Sequence, residues 1–149
     1  MLPAVKRALL DNLSVEAQLA LTRQIAFAGL VSADGSVEAV WKSAEPNPPQ
    51  LADLVRSVEL LRKADARSAF HPKVAPLLNR SEAPEIRLAA LAALPAIPGH
   101  EAETFQSLSA LVLNGTEKSA ALASLARLPK NSWPKENVKP LLDAVLNDL

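Results

Sequence analysis

The chain has 149 residues, sixteen basic and sixteen acidic side chains, and no cysteine. A domain of this length buries about 70% of its unfolded surface, so a core forms without metal or disulfide staples. The missing cysteine excludes disulfides, thiolate zinc sites, covalent haem attachment and cysteine nucleophiles, and the balanced charge offers no general attraction to nucleic acid or anionic lipid.

In chain order, aliphatic spacing and Pro/Gly punctuation predict helices at Pro3 to Leu10, Ser14 to Leu30, Ser36 to Lys42, Gln50 to Lys63 and Lys73 to Leu78. Further helices are predicted at Glu85 to Leu94, Ala102 to Leu113, Glu117 to Leu128 and Pro134 to Asn147. Asp11 interrupts the first apolar run before it could serve as an export signal, and no run approaches the roughly 20 residues of a membrane span. Turns are expected at Asp34-Gly35, Pro98-Gly99 and Asn114-Gly115. The proline-rich stretch EPNPPQ, residues 45–50, reads as a long extended loop inside one domain spanning 1–149, because each proline disfavours helix at the residue before it. Aromatic residues make up only 3% of the chain, and alanine and leucine dominate where a sheet would want β-branched residues.

LAALAALP, Leu88 to Pro95, returns thirty-four residues later as LASLARLP, Leu122 to Pro129, with six of eight positions identical. A second echo pairs HPKVAPLL, from His71, with WPKENVKPLL, from Trp133. Two helix types recurring in the same order predict stacked hairpins that share one core. The tetratricopeptide and ankyrin signatures are absent. The expected fold is all-α, a right-handed superhelix of about four antiparallel helix pairs of HEAT or armadillo type. Its repeat core is assigned to Leu88, Leu91, Leu94, Leu122, Leu125, Leu128 and Trp133, the last folding back on the preceding hairpin as a packing lock.

No nucleophile elbow, phosphate loop, HExxH helix, calcium loop or dinucleotide-binding glycine pattern occurs. No catalytic, cofactor or metal residue is therefore assigned. His71 reads as a capping or packing ring, and neither histidine has a second one at helical spacing. His100, Glu101 and Glu103 lie together at an expected exposed turn, where the acids also suit a helix N-terminus. With Trp41, which precedes the proline-rich stretch, they are the candidate partner-binding residues. The most basic window, Arg56 to Arg87, sets seven basic residues against four acidic ones, a net of +3. That window alone motivates the alternative of a DNA-binding or DNA-glycosylase-like helical-repeat protein.

From Pro84 to Leu149 the chain resembles a HEAT-like repeat segment of very large exported proteins of planctomycetes and their relatives. The elements that carry the resemblance are Pro98-Gly99-His100-Glu101, Leu128-Pro129, Ser132-Trp133-Pro134-Lys135 and Pro140-Leu141-Leu142. In those proteins such repeats lie beside a sugar-dehydrogenase-like propeller and a c-type cytochrome or blue-copper domain. The resemblance implies a non-enzymatic spacer or docking scaffold, a segment of a larger exported or periplasmic protein. The expected partner is protein, in cis or in trans, with no nucleic acid and no membrane insertion, and the isolated domain is expected to be monomeric. Without the resemblance, a cytoplasmic adaptor is expected.

Overall fold

The computed structural model describes residues 3–79 and 83–147, and among them it contains helices and turns but no strand. The α-helices are α1 (Ala4–Glu16), α2 (Ala20–Asp34), α3 (Glu38–Ala44), α4 (Pro48–Arg56), α5 (Ala64–Ser68), α6 (His71–Val74), α7 (Pro84–Ala93), α8 (Glu101–Asn114), α9 (Lys118–Arg127) and α10 (Lys135–Leu146). Tighter 3-10 turns follow α4 at Ser57–Leu60, α6 at Ala75–Leu78 and α7 at Leu94–Ala96, and another, Lys130–Ser132, precedes α10. None of the described helices is long and apolar enough to cross a membrane.

The prolines in the first half act differently from the expectation. Instead of an extended loop across residues 45–50, residues 45–47 form a short turn and residues 48–50 already belong to α4, with Pro48 at its first position and the Asn47 side chain accepting from the Gln50 N–H. Proline costs nothing there, because a first-turn N–H has no helical partner to lose. Nor does Asp11 end α1, which continues to Glu16 while Asp11 pairs with Arg7 one turn back on the solvent side. The predicted helix from Gln50 to Lys63 stops at Arg56 and tightens into Ser57–Leu60, where the Ser57 hydroxyl donates to the Leu54 carbonyl. After an extended Leu61, the chain forms the unpredicted α5.

Helix α2 packs on α4, α4 on α7, and α7 on α9. Against this row lie α1 on α2, α3 on α4, the Ala75–Leu78 turn on α7, and α8 on α9, with α10 against α8. One apolar cluster runs through all of them, from Phe27 to Leu141. In α7 the inward residues include Ile86, Ala89, Ala90 and Ala93, and the alanine methyls leave room for α4 to approach closely. Leu88 does not belong to this core. It is 40% exposed, because the inward stripe runs through the alanines and carries the first leucine to the outside. Leu91, Leu94, Leu125 and Leu128 are buried, while Leu122 and Trp133 are partly buried against the cluster. Trp133 meets Phe105 of α8, with ring centroids 5.3 Å apart.

The two echoed segments touch each other, and the residues that differ between them make the contact. Pro95 has no N–H to give the Leu91 carbonyl, so α7 ends with unmet acceptors. Ser124 Oγ donates to the Leu91 carbonyl at 2.7 Å, and Arg127 donates to the Ala92 carbonyl at 2.6 Å. The equivalents in the first copy are Ala90 and Ala93. Arg127 also reaches Glu59, at 3.1 Å. Ser124→Ala is expected to destabilise the chain by about 1 kcal/mol, the usual loss for a buried acceptor left without its donor. In a Pro95→Ala background, which returns an N–H to the Leu91 carbonyl, the same change should cost less. Urea midpoints of the four chains in this cycle measure the difference.

Candidate functional site

His71 and His100, separated by twenty-nine residues of sequence, stack face to face with centroids 3.6 Å apart and planes 4° from parallel. His71 opens α6 directly after the buried Phe70, and Pro72 holds the helical turn at its first positions. His100 is the N-cap of α8, delivered by the Pro98-Gly99 turn, in which Gly99 takes φ +86°. Two hydrogen bonds hold that turn. Ser68 Oγ, at the end of α5, donates to the Pro98 carbonyl at 2.9 Å, and the Gly99 N–H donates to Glu101 at 3.0 Å.

Glu103, in the first turn of α8, completes the cluster. One of its oxygens, Oε2, lies 3.7 Å from His71 Nε2 and 3.6 Å from His100 Nδ1. Both separations exceed hydrogen-bond length, and His100 Nδ1 is buried without a hydrogen-bond partner. Burial, followed by the neighbouring His100 charge, pushes the His71 imidazole below its ordinary range, and Glu103 opposes the shift. The Glu101 carboxyl is held below the usual carboxylate range by its own backbone N–H and then by that of Gly99. Glu101 therefore braces the turn, while Glu103 faces the imidazoles.

Of the four candidate partner-binding residues, His100, Glu101 and Glu103 share this turn. Trp41 does not fit an exposed anchor. It is 6% exposed, packed edge-to-face on Phe70 at 6.5 Å, with the Lys73 ammonium 5.5 Å from its ring centroid. The pattern Val37, Val40, Trp41, Ala44 marks the inward face of a helix and accounts for this. Local sequence presents His71 alone as a packing ring, and no local periodicity connects it with His100.

A second feature lies along α2. A largely apolar groove of about 720 Å³ runs between α2, the turn at Gly35 and the segment from Leu60 to Ala69. Ile25 and Leu60 are exposed along it. Arg62 and Lys63 stand at its edge, exposed and without an ion pair among the described residues, beside Asp65. Other basic residues of the Arg56 to Arg87 window are engaged elsewhere. Lys73 pairs with Glu38, Arg87 pairs with Glu117, and Arg67 donates to the Leu61 carbonyl. Arg80 and Glu82 lie outside the described residues.

Comparison of this chain with protein-family models, with curated proteins and with solved structures finds no match.

Proposed function

We propose that this chain is a non-enzymatic, HEAT-like helical scaffold that docks a protein segment in the groove beside α2. The observation that carries this reading is the pairing of an open apolar surface, with Ile25 and Leu60 exposed, and two lining cations, Arg62 and Lys63, that form no ion pair among the described residues. Apolar side chains left in water gain by being covered. Arg62 and Lys63 favour an occupant that places acidic residues opposite them. The occupant is accordingly an apolar segment flanked by Asp or Glu. The row of α2, α4, α7 and α9, backed by its second set of helices, supports the stacked-pair arrangement expected from the repeats. On the resemblance to exported multidomain proteins, the segment belongs to a neighbouring domain of the same polypeptide, and this domain is the spacer that holds the neighbour in place.

A displayed library of random peptides, selected on the whole chain, tests this reading. Retained peptides are expected to combine apolar and acidic residues and to lose at least tenfold in affinity for Ile25→Asp, a change of about 1.4 kcal/mol. Ile25 is exposed, so the substitution leaves the fold intact. Peptides that bind Ile25→Asp as tightly as the unchanged chain would overturn the proposal.

A further inference from the structure

We propose that His71, His100 and Glu103 form a binding site for one divalent transition-metal cation of the zinc class. Two imidazole nitrogens and one carboxylate oxygen make a donor set typical of zinc sites that keep a fourth position open. The three donor atoms lie within 4.8 Å of one another. Bonds of about 2.0–2.1 Å arranged tetrahedrally place neighbouring donors roughly 3.4 Å apart. The Glu103 oxygen, at 3.7 Å from one imidazole nitrogen and 3.6 Å from the other, is close to that spacing and too far for a hydrogen bond to either.

The unpartnered Nδ1 of His100 is the second observation. A buried ring nitrogen without a partner is costly, and a metal ion satisfies it. Parallel rings hold their lone pairs in separate planes, so binding requires one ring to turn. His100 is the one with room, since its side chain is only part-buried while its backbone is braced through Pro98 and Gly99. The nearby cation Lys73 turns away to Glu38 and the Trp41 ring, leaving Glu103 to face the two histidines. A bound ion would clip the start of α6 to the start of α8, with its open position available to water or to a donor from a partner.

Calorimetric titration of the full chain with Zn²⁺ near neutral pH tests the site. The expected result is one ion per chain, a melting temperature that rises with Zn²⁺ concentration, and no displacement by Mg²⁺, which prefers an oxygen set. Both His100→Ala and Glu103→Gln should weaken binding at least tenfold. The Glu103 side chain is 68% exposed, so its variant tests the site even if His100→Ala folds poorly. Equal Zn²⁺ affinity in Glu103→Gln, or no binding by the unchanged chain, would overturn the proposal.

Discussion

Phe70→Ala is expected to lower the unfolding free energy by about 3–5 kcal/mol, among the largest effects available from one side chain here. Phe70 is fully buried between α5 and α6, and its ring meets the Trp41 indole of α3 edge-to-face. Truncation removes the transfer energy of the ring and leaves a cavity that the surrounding helices close only in part. It also removes the aromatic pair, worth about 0.5–1.5 kcal/mol beyond area burial. Because Phe70 immediately precedes His71, the cavity loosens the base of the histidine stack as well. Urea unfolding followed by tryptophan fluorescence measures the loss. By contrast, Val5→Ala changes a side chain 83% exposed, and its effect should stay within about 0.5 kcal/mol. A Phe70→Ala loss below about 1 kcal/mol would mean that this part of the core is not packed as described.

Arg23→Ala is expected to cost about 3 kcal/mol, although Arg23 is a charged residue near the surface. Its guanidinium donates to Asp53 at 2.6 Å and to the carbonyls of Ala17 and Gln18, which link α1 to α2. Asp53 lies on α4 and is 3% exposed, with Gln24 as its other side-chain donor, at 3.0 Å. Removing the cation leaves a buried carboxylate held by one neutral amide, and breaking a buried pair from one side typically costs 3–5 kcal/mol. The partial exposure of Arg23 places the expectation at the lower end of that range. Replacing both partners together, as Arg23→Met with Asp53→Leu, should recover most of the loss, since no charge is then stranded. Chemical denaturation of the single and double variants completes the cycle. If the double variant is as unstable as Arg23→Ala, the lost bonds to the Ala17 and Gln18 carbonyls rather than the stranded charge account for the effect.

The second half of the fold is legible in the sequence because its punctuation acts in the simplest way. Asn114-Gly115 stops α8 with a left-handed glycine, and the Pro98-Gly99 turn and Pro129 separate helices close to the predicted limits. The first half is harder because the same residue types act in other roles. Pro48 starts a helix, Asp11 rides on an exposed face, and the end of α4 tightens into a 3-10 turn that hydrophobic spacing does not distinguish from α-helix. In the candidate site, the acids beside His100 stand out locally. The partnership with His71 is set by packing between elements twenty-nine residues apart, and local spacing carries no trace of it. Of the echoed leucines, Leu91, Leu94, Leu125 and Leu128 are buried, Leu122 is partly buried, and Leu88 is exposed where alanines turn the inward stripe.

Likeness between the two echoed segments does not make them interchangeable. Moving LASLARLP into the first position would put serine at 90 and arginine at 93, where both alanine side chains are fully enclosed beside α4. Moving LAALAALP into the second would leave the two carbonyls behind Pro95 without donors. Each copy is thus specialised for its side of the joint, one as acceptor and the other as donor. The joint has a built-in polarity, and the two positions at which the segments differ are the ones that supply its donors.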